Sequence, residues 1–440
     1  MTSRTILYEI GNLMRRDGTG VATYARTLAE AAGRLGYAAD GLFGVHRTLQ
    51  RGDRRLNEVL AFDAIDDRES PTALQRAWRH FRYPFNALVG LGPIELAKGD
   101  LVTGPAADVL QPFRRAFAIT RLIEMGAAHF SIYGRLAKLR LRERPWLFHA
   151  THPVPLAAPG CLNVYTIHDL VPLRLPYTTL DNKKYFYRLL GEIGRTADHI
   201  VTVSEHSRRD IVEHLKVDER RVTNTWQAVD IPARLLARGD DAIAGDLARL
   251  FGLEPGGYFL FYGAIEPKKN VSRLVDAYAA SGSTLPLVIA GGSGWQNSGD
   301  MRRIRNERFL NFRIDGNVVR RERQVRRLEY LPREQLVALI RGARALLFPS
   351  IYEGFGLPVI EAMTLGTAVV TSTASSLPEV AGDAALLVDP YSIDDIAKAI
   401  RTIEADADLR AGLIERGRVR AREFSPAAYD ERLDRLYSGF

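Results

Sequence analysis

Ala345-Leu346-Leu347-Phe348-Pro349-Ser350-Ile351-Tyr352-Glu353-Gly354-Phe355-Gly356-Leu357-Pro358-Val359-Ile360-Glu361-Ala362-Met363 reads as a buried strand, Ala345–Phe348, feeding a glycine-rich turn and then a helix over about 358–364. Pro358 stands where a first helical turn tolerates proline, because its missing N–H has no intrahelical partner in any case. The amides of Gly356 and Leu357 then face outward at a helix N-terminus. Such an end suits a phosphate through its N–H groups and positive dipole. Glu353 before the loop and Glu361 one turn into the helix put carboxylates on either side of that anion, where they suit the hydroxyls of a sugar or ribose.

Away from this stretch, short β-branched runs alternate with helical periodicities, the pattern of βα units around mostly parallel sheets. Strands are expected at Ile6–Glu9, Trp146–Ala150, Leu162–Thr166 and His199–Val203, and then at Tyr258–Tyr262, Leu287–Ala290, Val325–Tyr330, Ala345–Phe348, Ala368–Thr371 and Ala385–Val388. Helices are expected near Val21–Leu35, Thr178–Thr196, Glu205–His214, Val271–Ser281, Arg333–Arg341, Pro358–Thr364, Ser392–Ala405 and Asp408–Phe424. The fold class is therefore α/β, with two doubly wound Rossmann-like domains facing across a cleft. Residues 1–230 form the first domain, 231–257 a linker opened by Asp230-Ile231-Pro232, and 258–424 the second. The tail 425–440 is expected to pack back on the first domain.

Composition excludes several classes. The 440 residues are 46% hydrophobic and 25% charged, which rules out disordered and fibrous chains. Cys161 is the one cysteine, so no intramolecular disulfide forms, and Met1–Thr5 runs into the first strand without an apolar leader. A cytoplasmic protein is expected. No apolar run approaches the roughly 18–20 residues of a membrane span. The formal charge of +8 suits a nucleic acid, an anionic membrane surface or a phosphorylated small molecule.

Two stretches break the alternation. Phe113–Arg144 has a helical period, with Phe117, Phe130, Tyr133 and other apolar residues among many arginines, and is expected to form a basic amphipathic helix pair. Its arginine face is either simply solvated or docks on a membrane. Asp300–Arg327, dense in arginine and with little apolar periodicity, reads as a long surface insertion between two strands. This second stretch carries no aromatic platform, and no helix-turn-helix, RNA-recognition or zinc-finger pattern accompanies it, so no nucleic-acid partner is expected.

A second candidate site is Gly263-Ala264-Ile265-Glu266-Pro267-Lys268-Lys269-Asn270, after the first strand of the second half. Gly263 lets the chain turn, and two lysines reach over the same sheet end, where they suit a diphosphate. Gly291-Gly292 lets backbone approach the ligand. In the first half, Asp17-Gly18-Thr19-Gly20 is a glycine-rich turn between strand and helix, and Thr166-Ile167-His168-Asp169 ends a strand at the cleft edge. His149 and His152 lack the helix and companion Glu of zinc hydrolases and are taken as strand-end polar residues, with a minor role toward an acceptor. Asp406-Ala407-Asp408 is helix-end charge. No phosphate-loop lysine motif, nucleophile elbow or Cys/His metal cluster occurs.

These residues resemble the retaining glycosyltransferases of family 4, which have the two-Rossmann GT-B fold. The resemblance covers nearly the whole chain. It rests on Glu353 with Glu361, Glu266-Pro-Lys-Lys-Asn270, Gly291-Gly292, Leu328-Glu329-Tyr330-Leu331-Pro332, Val201-Thr202-Val203-Ser204-Glu205-His206-Ser207 and Thr166–Leu170. It implies that Lys269 pairs with the donor diphosphate and Glu361 accepts from the donor ribose. Glu353 and the Phe355–Leu357 backbone would hold the transferred sugar, with His168 beside it. Gly263, Lys268, Gly291, Gly292 and Leu331 complete the implied donor site, and Gly18, Gly20, His168 and Asp169 the acceptor side; no metal and no cofactor is implied. Where many relatives carry Arg after the strand-ending glycine, this chain has Ala264, which shifts the clamp toward Lys269 and Lys268.

The similarity is closest to bacterial mannosyltransferases of surface-polysaccharide assembly. It implies a hexose, first of all mannose from GDP-mannose, moved onto a lipid-linked oligosaccharide at the inner face of the plasma membrane. A sugar-nucleotide epimerase of the same fold, or a non-catalytic nucleotide-sugar-binding subunit of a membrane assembly complex, is the alternative.

Overall fold

Ile6-Leu7-Tyr8 and Tyr258–Tyr262 each seed a parallel sheet whose two faces are covered by crossover helices, which is why both runs are apolar throughout. The computed structural model describes all residues except 1–3, 15–19, 51, 64–82, 84, 86, 293, 295–297, 316–317 and 330, and the backbone alone at 105–106, 298 and 311–322. The strands of the first half are β1 (Thr5–Glu9), β2 (Ala38–Val45), β3 (Ile94–Leu96), β4 (Arg115–Thr120), β5 (Ala137–Lys138), β6 (Leu147–Ala150), β7 (Leu156–Ala157), β8 (Leu162–Thr166), β9 (His199–Thr202) and β10 (Val222–Asn224). Those of the second are β11 (Phe259–Tyr262), β12 (Leu287–Ala290), β13 (Leu310–Asp315), β14 (Val318–Arg323), β15 (Val325–Leu328), β16 (Ala345–Phe348), β17 (Val369–Ser372) and β18 (Leu386–Val388).

The first sheet runs β10-β9-β8-β6-β1-β2-β4-β3, parallel except for β3 against β4; the second runs β15-β12-β11-β16-β17-β18, all parallel. The period-2 alternation of β1 divides its side chains between two cores: Ile6 and Tyr8 enter one and Leu7 the other. The first of these cores continues without a break into the second half. Leu235, Ile243, Leu247 and Leu253, on the connection between the sheets, are buried in it.

After the helix Ala407–Arg422, the helix Pro426–Ser438 returns to the first sheet. Tyr437 Oη lies 3.1 Å from Tyr8 Oη and 2.9 Å from His149 Nδ1, while His149 Nε2 is 2.9 Å from Thr166 Oγ1, which in turn is 2.9 Å from Tyr24 Oη. Burial brings the His149 pKa down to about 3, so the ring is a neutral member of this buried network. The acidic triplet caps a helix, with Asp406 Oδ1 accepting from the Leu409 amide at 2.8 Å.

One expectation is corrected. Phe113–Arg144 is not a helix pair: it contains β4 and one helix, Leu122–Tyr133. Along β4, Ala116 and Ala118 enter one core while Ile119 enters the other and Phe117 packs against it, a period of 2 hidden under the flanking arginines. Phe130 is buried as well, and Arg114 and Arg115 pair with the buried Asp40 at 2.9 and 2.8 Å. Asp300–Arg327, expected as an insertion between two strands, lies between β12 and β15 and contains the end of the helix Ser298–Ile304 and the antiparallel hairpin β13–β14. The strands β2, β3 and β10 were not expected from the sequence.

Candidate active site

Each sheet reverses its strand order once, between β1 and β6 in the first and between β11 and β16 in the second. Loops leaving the carboxyl ends at such a reversal enclose the crevice where open α/β sheets bind ligands. At β11 the chain turns at Gly263, directly against Gly291 beyond β12. A Cβ on Gly291 would fall 2.1 Å from the Gly263 carbonyl oxygen, and φ is 139° and 147° at the two positions, so glycine alone fits. Gly292 opens onto free space, and Leu331, beyond β15, is partly buried against the core.

The lysine turn is sewn to the loop after β16. Asn270 Nδ2 donates to the carbonyls of Pro349 (2.9 Å) and Pro390 (2.7 Å), and the Ile351 amide donates to the Lys268 carbonyl (2.8 Å). As a result Lys269 Nζ sits 2.7 Å from Glu353 Oε1, with side chains only 14% and 8% exposed. Burial raises the Glu353 carboxyl, but Lys269 and Lys268 more than offset it and hold it below its ordinary value. Burial likewise disfavours the Lys268 ammonium, yet the carboxylates of Asp169, Glu353 and Glu266 keep it above its usual pKa. Glu266 is raised, chiefly by burial.

The Glu353 amide donates to Ser375 Oγ at 2.8 Å, and Ser376 Oγ lies 2.9 and 2.8 Å from the carbonyls of Glu353 and Phe355. Phe355 turns its ring inward, edge-on to Phe424 with centroids 5.4 Å apart, which leaves its backbone to the loop. Gly356 precedes the helix Leu357–Thr364 and provides no side-chain cap. On that helix Tyr262 Oη donates to Glu361 Oε2 at 2.7 Å, and burial raises the Glu361 carboxyl.

The two halves meet at this loop. A Cβ on Gly354 would lie 2.9 Å from the His168 carbonyl and 3.1 Å from Asp169 Oδ2, so the absence of a side chain permits the approach. Gly20 stands against Leu357 in the same way, where a Cβ would be 3.4 Å from Leu357 Cδ1. Burial takes His168 down to about 4; its neutral ring donates from Nε2 to the Thr151 carbonyl at 2.9 Å and stacks edge-on with Tyr24. Asp169 Oδ1 accepts from the Val171 amide at 3.0 Å.

Every described residue expected at the site from the sequence thus lies at the carboxyl end of one of the two sheets, and His168, Asp169, Lys268, Lys269, Glu353 and Gly354 form one cluster. Gly18 lies outside the described residues. Glu353 and Lys269, expected to meet different parts of a ligand, bond to each other.

Sequence reasoning missed the contacts that fix the two halves. Glu379 accepts from the amides of Glu205 (2.8 Å) and His206 (3.1 Å) and from Trp226 Nε1 (2.6 Å), so its carboxylate faces the positive end of the helix Glu205–Leu215. Tyr352 Oη donates to Asp210 Oδ2 at 2.5 Å. The only sequence signal for Glu379 was an acid beside a proline at a helix start.

Residues 252–420 match the family described as glycosyl transferases group 1, and residues 102–231 the family described as Glycosyltransferase Family 4. O-antigen chain mannosyltransferase B of Escherichia coli is 34% identical over 267 residues, 60% of this chain and 66% of that protein. The serotype-specific mannosyltransferase WbdA of Escherichia coli is 30% identical over 250 residues. That match takes in 55% of this chain but only 29% of WbdA, so the chain spans less than two thirds of either relative. Among solved structures, Anabaena Alr3699/HepE in complex with UDP and glucose superposes with a TM-score of 0.66 at 13% identity, over 99% of this chain and 100% of that one. Residues 252–420 in the group 1 family and residues 102–231 in family 4 together take in more than half of the chain, which belongs to the glycosyltransferases and has the GT-B fold.

Proposed function

We propose that the protein is a retaining, metal-independent hexosyltransferase that moves mannose from GDP-mannose onto a lipid-linked oligosaccharide in bacterial surface-polysaccharide synthesis. In this division of labour residues 1–230 serve the acceptor and 258–424 the donor, joined by 231–257 and tied together by 425–440. The observation that carries the proposal is the cluster at the β11/β16 reversal: Lys268, Lys269, Glu353 and the uncapped amides at Gly356–Leu357, pressed against His168–Asp169. The mannosyltransferase relatives support the choice of sugar and pathway.

On this account the donor diphosphate replaces Glu353 as the partner of Lys269, and Glu353 is released to the hydroxyls of the transferred sugar. The lysines and the helix dipole then stabilise charge as the bond from C1 to the leaving phosphate breaks. The new bond from C1 to the acceptor oxygen forms on the same face, and the acceptor's proton passes to the departing phosphate. Glu361 serves the ribose, with Tyr262 holding its carboxyl. His168, neutral and fixed through Nε2, offers Nδ1 as an acceptor toward the sugar.

The enzyme works in the cytoplasm, peripherally at the inner membrane face. Among the described residues no helix is long and apolar enough to cross a membrane. Since Phe117 and Phe130 pack inward, we place the membrane contact at Ile132 and Tyr133, 50% and 40% exposed, together with the exposed Arg135 and Arg142 of the same segment. Charge reversal of Arg135 and Arg142 should abolish sedimentation with anionic liposomes; sedimentation that persists transfers the contact to the Arg302–Arg327 insertion. For the reaction itself, a thermal-shift panel of nucleotide sugars decides. Ligand at 100 times its Kd stabilises a fold by about 2.7 kcal/mol. No shift with any nucleotide sugar refutes the proposal.

A further inference from the structure

At the β1/β6 reversal of the first sheet, Glu9 closes one strand and His152 stands two residues beyond the other. The Glu9 side chain is fully buried. Its Oε1 accepts from the Gly11 amide at 2.9 Å, whereas Oε2 has no hydrogen-bond partner among the described residues and lies 3.2 Å from His152 Nδ1. A buried carboxylate oxygen without a hydrogen bond costs stability, and such an atom calls for an explanation, of which a bound ligand is one. Neither side chain has a part in the donor chemistry described above.

The arrangement has a direction. The Nδ1 edge of the imidazole faces the carboxylate and is itself buried without a hydrogen bond among the described residues, while a quarter of the His152 side chain stays exposed, which leaves Nε2 as the ring nitrogen available to a ligand. The pair also adjoins the reacting end of the cleft: Thr151 Oγ1 donates to the Glu9 carbonyl at 2.8 Å, and the Thr151 carbonyl accepts from His168 Nε2 at 2.9 Å. His168 in turn touches the Gly354 loop of the other half.

We propose that Glu9 and His152 form the seat of the acceptor sugar: His152, oriented by Glu9, accepts a hydrogen bond from a hydroxyl of a neutral pyranoside and sets its approach to the cleft. The buried carboxylate selects for hydroxyls over phosphate, so the phosphate-bearing end of a lipid-linked acceptor lies away from this point. The assignment rests on the transferase proposal for its acceptor, but its test does not depend on turnover.

Octyl α-D-mannopyranoside is titrated calorimetrically into the wild type, His152→Ala and Glu9→Gln, with and without GDP. The Gln carbonyl keeps the Gly11 bond while an amide NH2 replaces Oε2, so Glu9→Gln decides the matter if His152→Ala fails to fold. Both variants should bind the glycoside at least about tenfold more weakly, as expected for losing a well-placed hydrogen bond, with the affinity for GDP unchanged. Equal glycoside affinity in the three proteins, or none in the wild type, overturns the inference. Absence of GDP binding in the wild type counts instead against the donor site, and the glycoside titrations still decide the role of Glu9 and His152.

Discussion

Lys269→Met removes one charge from an ion pair 2.7 Å long whose side chains are 14% and 8% exposed. Breaking a buried pair from one side leaves an uncompensated charge and costs about 3–5 kcal/mol, whereas removing both charges is close to neutral. Lys268 still faces Glu353 in the variant, so the loss should lie at the low end, about 3 kcal/mol. Glu353→Gln should cost less, because Glu266 remains near Lys269. The double variant should recover most of the stability, a coupling of at least about 2 kcal/mol, well above the ~0.5 kcal/mol within which independent sites add. Turnover should not recover: each protein loses a partner for developing charge, and Lys269→Met should fall by about 10²–10³-fold. Urea unfolding at neutral pH and transfer at saturating donor measure the two quantities. Additive stabilities would refute the ion pair, and near-normal turnover of Lys269→Met would refute its catalytic role.

The pH dependence follows from the same pair. Because the folded state holds the Glu353 carboxyl below its ordinary value, the stability it contributes is complete above about pH 4.5 and is lost as pH falls through the folded pKa. Wild-type urea midpoints should therefore drop more steeply between pH 5 and 3 than those of Lys269→Met; equal slopes would contradict this. Gly354→Val places side-chain atoms where a Cβ alone lies 2.9 Å from the His168 carbonyl, so transfer should fall by tenfold or more while GDP still binds. Unchanged transfer would mean that the two halves need not approach there. Tyr437→Phe leaves His149 Nδ1 and Tyr8 Oη without that partner and should cost about 1–3 kcal/mol in urea unfolding, against no change if the network is incidental. Transfer should persist in excess EDTA if, as proposed, lysines and helix amides serve the diphosphate; loss restored by magnesium or manganese would contradict this.

The central strands β1, β11, β12 and β16 were legible because each is a short apolar run buried on both faces and bounded by turn residues. β2 was not, since Asp40, Gly41 and Gly44 interrupt its apolar pattern and its pairing with β1 and β4 supplies what propensity lacks. β4 was misread because alanines at alternate positions register weakly as apolar, while the arginines around them imitate a helical face. At the site, the glycines and the Glu and Lys positions could be read from spacing, because each follows closely on a strand, in the loop after it or, for Glu361, in the helix that the loop opens. The bonds among them could not. Lys269 with Glu353, Tyr352 with Asp210 and Glu379 with the helix at Glu205 span 84, 142 and 174 residues, and they exist only once the loops and halves dock. Glu9 was hidden for a simpler reason: an acid closing an apolar strand looks like the strand's solvated end, whereas here it is buried.

Glycosyl transfer with retention is tested most directly by incubating the protein with GDP-mannose and octyl α-mannoside and determining the anomeric configuration of the product by NMR. An α-linked dimannoside is the predicted result. A β-linked product would contradict same-face substitution, and free epimerised donor without any disaccharide would contradict transfer itself.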